Sequence, residues 1–228
     1  MTRPAEQLVS LVAPTSLEAD QYRSLRHTME RMRRDAGVQM IAITSPGPGD
    51  GKSVTTLNLA GSLAQSPDTR VLVIDGDLHR PSVGKYLGID WSGNPGLVDL
   101  ISNPDLDLAQ TLRRFDELNL SVLLPGTCQS GAYEFLNSPR LEGRLMEARR
   151  HFDYILIDTP PLLPIPDSRL IGQWVDGFIV LVTAHRTPRK ALSEALNLLD
   201  PSKVIGTVFN ADDRPLAAYG GYYSYRTA

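Results

Sequence analysis

The sequence predicts an α/β domain with a doubly wound, mostly parallel sheet and helices on both faces. Two observations carry this expectation. Short, continuously apolar runs alternate with longer helix-compatible stretches, and continuous apolar character suits strands covered on both sides. The apolar run at 40–43 also leads through Thr44-Ser-Pro-Gly-Pro-Gly-Asp-Gly-Lys-Ser53 into a helix-compatible run. Strand, glycine-rich loop and helix in that order form the nucleus of a P-loop nucleotide-binding fold.

Residues 1–14 hold Pro4 and Pro14 and read as an extended N-terminal arm. A helix is expected from Thr15, whose spacing to Glu18 is that of a capping box. It should run through Tyr22, Leu25, Met29 and Met32 and stop at Gly37, a residue suited to the left-handed turn after a helix. Strands are expected at 38–44, 71–75, 120–124, 154–158, 177–183 and 204–210. Helices are expected at 53–65, at 132–149 with a break near Pro139, at 168–174 and at 188–199. Residues 15–213 thus form one domain, and 214–228, which lack apolar periodicity, form a tail.

With 228 residues the chain is long enough to bury one sizeable core. It is 42% hydrophobic and 21% charged with a net charge of −3, a balance that does not suggest nucleic-acid binding. The lone Cys128 excludes an intramolecular disulfide and a four-cysteine metal site within this sequence. No apolar run reaches the ~18–20 residues of a membrane span, and the first residues lack a signal-peptide core, so a cytoplasmic location without direct membrane insertion is expected.

The loop carries the chemistry. Gly49 and Gly51 let consecutive backbone N–H groups and the helix N-terminus face phosphate oxygens. Lys52 supplies a positive charge to the terminal phosphates, and the Ser53 hydroxyl can ligate Mg²⁺. Gly49, Asp50, Gly51, Lys52, Ser53 and Val54 are the expected nucleotide-binding set. Pro46 stands where the usual pattern has its first glycine, so the loop is a variant. Two strands end in acid: Val-Leu-Val-Ile-Asp75-Gly-Asp77 and Tyr-Ile-Leu-Ile-Asp158-Thr-Pro-Pro161. Ligands bind beyond the carboxyl ends of parallel strands, where these acids would meet Lys52 and Ser53. One such acid is commonly a turn aspartate; two beside a Gly-Asp-Gly-Lys-Ser loop point to a nucleoside triphosphate and Mg²⁺.

These residues make the chain resemble the bacterial tyrosine kinases of capsule and exopolysaccharide synthesis, relatives of the MinD/ParA ATPases. Pro-Gly-Asp-Gly-Lys-Ser53 with Asn58-Leu-Ala60 resembles their Walker A segment. Asp75-Gly-Asp77-Leu-His-Arg-Pro81 resembles Walker A′, with His79 where arginine is common, and Ile-Leu-Ile-Asp158-Thr-Pro-Pro161 is similar to Walker B. Gly206-Thr-Val-Phe-Asn210 resembles the segment whose asparagine borders the base. Asp20, Arg23 and Arg26 match the ring-forming E-x-x-R-x-x-R motif, with aspartate for glutamate. Gly47 stands where ParA-type ATPases carry a signature lysine.

The resemblance implies an ATP- and Mg²⁺-dependent protein-tyrosine autokinase regulating polysaccharide synthesis or export. Ser53, Asp77 and Asp158 would handle the metal, and Asp75 would be the base, although Asp75 and Asp77 could exchange roles. Tyr219, Tyr222, Tyr223 and Tyr225, four of eight tyrosines, lie close together among glycine and serine and suit phosphoacceptors. The resemblance also implies ring-like homo-oligomers and a membrane activator whose cytoplasmic tail completes the active state, which would hold the protein peripherally at the inner membrane. A ParA-like ATPase and a non-catalytic nucleotide-binding scaffold of polysaccharide machinery are the rival readings. Arg31, Arg33 and Arg34 read as a solvated helix end rather than a subunit contact. His185, Arg186, Arg189 and Lys190 follow a strand end and could lie near the nucleotide or a neighbour's tail, while Trp91 and Trp174 read as packing residues.

Overall fold

The computed structural model describes residues 3–115, 118–126 and 131–212. Cys128 and the four tail tyrosines therefore lie outside the described residues. Within them, the chain runs α1 (Val9–Val12), α2 (Leu17–Ala36), β1 (Met40–Thr44), α3 (Lys52–Ala64), β2 (Val71–Asp75), α4 (Val83–Leu87), α5 (Leu97–Ser102), α6 (Leu108–Thr111) and β3 (Leu112–Phe115). It continues through β4 (Leu120–Leu123), α7 (Ala132–Leu136), α8 (Pro139–His151), β5 (Tyr154–Asp158), α9 (Asp167–Ile171), β6 (Gly177–Thr183), α10 (Arg189–Leu196) and β7 (Val204–Asn210).

The strands form one seven-stranded sheet in the order β3-β4-β2-β5-β1-β6-β7. Every pairing is parallel except β3 with β4. Alternate residues of each central strand enter one of two cores. Met40, Ala42, Leu72, Ile74, Ile155, Ile157, Phe178 and Val180 face one side. Ile41, Ile43, Val71, Val73, Leu156, Ile179 and Leu181 face the other, where α3 adds Leu57, Leu59 and Leu63. This double burial is why the strands read as unbroken apolar runs.

Four of the six expected strands keep their expected limits; 38–44 and 120–124 are shortened to Met40–Thr44 and Leu120–Leu123. The helix expected from Thr15 is capped one residue later, with the Ser16 hydroxyl accepting from the Ala19 N–H. Gly37 ends it at φ +71°. The break near Pro139 separates α7 from α8, with Ser138 capping the second.

The N-terminal arm differs most from the sequence expectation. It forms the single helical turn α1 and lies on α3 and α4. Leu8 is fully buried. Asn58 of α3 fastens the arm twice, accepting from the Ser10 N–H at 2.9 Å and donating to the Gln7 carbonyl at 2.9 Å. The Ala5 N–H donates to the Tyr86 carbonyl on α4. Gly61 leaves room for Leu11: a Cβ there would sit 2.7 Å from its Cδ2. Among the described residues no helix is long and apolar enough to cross a membrane.

Candidate active site

The parallel strands bring Thr44, Asp75, Asp158, Thr183 and Asn210 to one edge of the sheet. Asp75 and Asp158 are register partners on adjacent strands. They follow Val73 and Leu156 by two residues and so share the face that α3 covers. Lys52 and Ser53 open α3 on that face. The loop between β1 and α3 needs its glycines: Gly49 and Gly51 have φ of +79° and +89°. A Cβ on Gly51 would lie 2.3 Å from Asn210 Nδ2.

Beside the loop lies a pocket of ≈460 Å³, whose walls include Gly49, Gly51, Lys52, Ser53, Val54 and Asp77. Arg80, Ser82, Tyr86, Pro161, Pro164 and Ile165 complete much of its lining. Beneath it the acids and hydroxyls form a chain. The Ser82 hydroxyl donates to Ser53 Oγ at 2.6 Å, and Ser53 donates to Asp158 Oδ2. The Ser82 and Val83 N–H groups donate to Asp75 Oδ2 at 3.1 and 3.0 Å. Asp77 Oδ1 accepts from the His79 and Arg80 N–H groups, which fixes the turn after β2. His79 Nε2 meets buried Asp167 Oδ2 at 2.9 Å and ties that turn to α9.

Burial dominates the electrostatics. It raises the Asp158 carboxyl to about 7, against the hydrogen bond from Ser53 and the charge of Lys52, while Asp77 adds repulsion. Asp75 is raised well above the usual carboxylate range by burial first and by the Asp158 charge second; its two backbone hydrogen bonds only partly offset this. One oxygen of each, Asp75 Oδ1 and Asp158 Oδ1, is buried without a hydrogen-bond partner. Two unpartnered carboxylate oxygens beside a serine hydroxyl fit a hard cation and its water shell. Among the described residues, no group of three or more His, Cys, Asp or Glu could hold a metal alone. The two orphaned oxygens and the Ser53 hydroxyl fit Mg²⁺, which keeps waters and shares its ligands with substrate phosphates.

Two expected nucleotide contacts have other partners. Asp50 is 4% exposed and absent from the pocket lining. Its Oδ1 accepts from the Thr183 hydroxyl at 2.6 Å, the Thr187 hydroxyl at 3.1 Å and Arg186, while Oδ2 accepts from the Gly47 N–H at 3.3 Å. Burial pushes its pKa up, but these bonds outweigh burial and hold it below the ordinary value. The Asp50 side chain thus braces the loop from outside. Asn210 Nδ2 donates to the Asp50 carbonyl at 2.9 Å and braces it from β7. Arg186 also donates to the Gly49 carbonyl, so this one member of the basic group after β6 supports the loop.

The sequence reading missed Ser82, Thr183, Thr187 and the pocket wall from Arg80 to Tyr86. Only proximity to Asp77 marked Ser82 in sequence. Asp20, Arg23 and Arg26 lie on α2, away from the pocket. Asp20 pairs with Arg23, and Arg26 donates to Glu30 at 2.7 Å and to the Ser62 carbonyl at 2.8 Å. Arg33 is more than a solvated helix end: it donates to the Asp153 carbonyl and lies 5.1 Å from the Tyr154 ring centroid.

A phosphate loop between a parallel strand and a helix, with buried acids on the adjoining strands, defines a P-loop nucleotide-binding domain. A family model described as an AAA domain matches residues 38–173. The chain is 29% identical over 224 residues to the tyrosine-protein kinase YwqD of Bacillus subtilis, covering 97% of this chain and 93% of that protein. It is 35% identical over 199 residues to the tyrosine-protein kinase ptk of Acinetobacter johnsonii, 86% of this chain and 27% of that protein. It is 29% identical over 219 residues to the succinoglycan biosynthesis transport protein ExoP of Rhizobium meliloti, 93% of this chain and 27% of that protein. The chain thus spans nearly all of one relative and about a quarter of the two others. The solved BceF tyrosine kinase domain matches with a TM-score of 0.77 at 31% identity, over 89% of this chain and 81% of that one. The chain belongs to the bacterial tyrosine-kinase family, whose fold is that of the ParA and MinD ATPases.

Proposed function

We propose that this protein is an ATP- and Mg²⁺-dependent protein-tyrosine autokinase that transfers phosphate to its own C-terminal tyrosines and thereby regulates the synthesis or export of an exopolysaccharide. The observation that supports it most is the Ser82–Ser53–Asp158 chain beside buried Asp75, at the mouth of an intact phosphate loop. Bound Mg²⁺ would be held by Ser53, with Asp158 and Asp75 in support, and would supply charge neutralisation at the phosphates. Lys52 and the loop N–H groups grip the same phosphates.

A tyrosine hydroxyl attacks the γ-phosphorus, a new O–P bond forms, the bond to the β-phosphate oxygen breaks, and ADP leaves. The phenolic proton passes to a carboxylate. Asp77 lines the pocket, whereas Asp75 is fully buried with one oxygen held by two backbone N–H groups. These positions favour Asp77 as the base and leave the unpartnered Asp75 Oδ1 to support the metal, the exchange of roles that the sequence left open.

Tyr219, Tyr222, Tyr223 and Tyr225 are the acceptors in this reading. Each phosphate adds about −1.5 to −2 charges near neutral pH, enough to repel neighbouring tails. Asp20, Arg23 and Arg26 mediate a ring of copies, and a membrane co-polymerase tail activates the ring at the inner membrane. Incubation of purified protein with ATP and Mg²⁺ should yield phosphotyrosine in a peptide from the tail. Lys52→Met should abolish that signal; undiminished labelling would mean that the site is misassigned. Phosphate release without phosphotyrosine would favour the ATPase reading.

A further inference from the structure

We propose that the groove between α4 and β3 binds a phosphotyrosyl side chain of the C-terminal tail and so retains a tail that has already been phosphorylated. The proposal rests on the autokinase reading and adds to it a separate site for the product.

The groove measures ≈600 Å³ and is lined by Lys85, Asp90, Trp91, Asn94 and Arg113 among others. It shares none of its lining residues with the nucleotide pocket, yet the two are neighbours: Tyr86 lines one and Lys85, the residue before it on α4, lines the other. Arg113 pairs in register with Val122, so it stands on the sheet face that α3 covers. Arg114 points the other way.

Two cations line the groove, Lys85 and Arg113, against one carboxylate, Asp90. Neither Lys85 nor Arg113 forms an ion pair among the described residues, and Arg113 Nε is buried with no acceptor. An orphaned guanidinium donor beside a second positive charge is costly, and a phosphate dianion relieves both costs through charge-assisted hydrogen bonds. Trp91 has spent its indole N–H on the Pro95 carbonyl at 3.1 Å, so it offers a ligand only apolar carbon surface, which suits an aryl ring. Asp90 is exposed at the rim, its Oδ1 accepting from the Ser92 N–H at 3.1 Å. That carboxylate repels anionic groups reaching the rim, as in an acidic polysaccharide, and attracts a cation that follows a phosphate seated deeper at Lys85 and Arg113. Tyr225-Arg226 of the tail has that order once phosphorylated.

The test uses the full chain carrying Lys52→Met, so that its own tail stays unphosphorylated, and no ATP. A fluorescent peptide of residues 217–228, with or without phosphate on Tyr225, is titrated and its anisotropy followed. The phosphopeptide should bind at least about tenfold more tightly than its unphosphorylated form, and added salt should weaken it. Lys85→Glu, at an exposed position, and Arg113→Gln should each reduce that affinity by about tenfold or more while leaving the melting temperature of Lys85→Glu unchanged. Arg226→Glu in the peptide should also weaken binding.

Equal binding of the two peptides, or phosphopeptide binding insensitive to Lys85→Glu, overturns the proposal. So does displacement of the peptide by a uronate-rich polysaccharide as readily as by phenyl phosphate. Tail labelling in the active protein separates this site from the autokinase reading. A labelled tail with no phosphopeptide binding removes the groove alone. Phosphopeptide binding to a protein whose tail is never labelled overturns the assignment of the groove to the tail.

Discussion

Asp158→Asn should stabilise the nucleotide-free protein at alkaline pH while abolishing phosphoryl transfer. In the fold, burial lifts the Asp158 carboxyl from an ordinary 3.8 to about 7. An unfolded chain releases that proton near its ordinary value, so between roughly pH 4 and pH 7 the folded state binds more protons than the unfolded one, and stability falls as pH rises. The shift of about three units corresponds to a cost on the order of 4 kcal/mol above pH 7, at about 1.4 kcal/mol per unit. Asparagine escapes this cost and can still accept the hydrogen bond from Ser53. It also removes the charge that raises Asp75, a coupled gain that belongs to the pair. For a domain of this size, 4 kcal/mol corresponds to an increase of about 8–16 °C in melting temperature. Urea unfolding with EDTA and without nucleotide, at pH 4.5 and pH 8, measures the difference. Most of the gap between the two proteins should be gone at pH 4.5. A gap of equal size at both pH values, or a less stable variant at pH 8, would refute the burial argument.

Asp50→Ala should cost about 2–4 kcal/mol, because it strips the shared acceptor from Thr183, Thr187, Arg186 and the Gly47 N–H. It should also weaken ADP binding by calorimetry, although Asp50 is absent from the pocket lining; unchanged affinity would mean that the brace does not shape the loop. Gly96→Ala should destabilise by about 3 kcal/mol or more in thermal denaturation, since its Cβ would lie 2.2 Å from the Gly126 nitrogen and 2.3 Å from the Leu124 carbonyl oxygen, backbone atoms with little freedom to move. A wild-type melting temperature would show that this close approach is not maintained.

Much of the fold was legible because its central strands are buried on both faces and therefore carry an unbroken apolar signal in one dimension. Residues 71–75, 154–158 and 177–183 were bounded correctly for that reason, whereas 204–210 was bounded correctly although β7 is an edge strand without a fully buried residue. Leu112–Phe115 was not, because an edge strand that holds Arg113 and Arg114 and pairs antiparallel lacks such a run. The short helices α1, α4, α5 and α6 were missed as well, each too short to establish helical periodicity.

The site divides along the same line. Loop chemistry is local: the glycines, Lys52 and Ser53 sit together in sequence, and their spacing alone specifies a phosphate cradle and a hydroxyl for a cation. Acids at two strand ends were equally plain. Sequence by itself therefore determined the α/β architecture, the phosphate loop and the family resemblance. Tertiary structure alone decided how those groups are used. Strand register set Asp75 beside Asp158 and raised both carboxyls. The turn after β2 brought Ser82 onto Ser53, and the end of β6 drew Asp50 away from the pocket into a brace. Protonation and hydrogen-bond direction depend on distances between residues far apart in the chain, and those distances exist only once the sheet has closed its register.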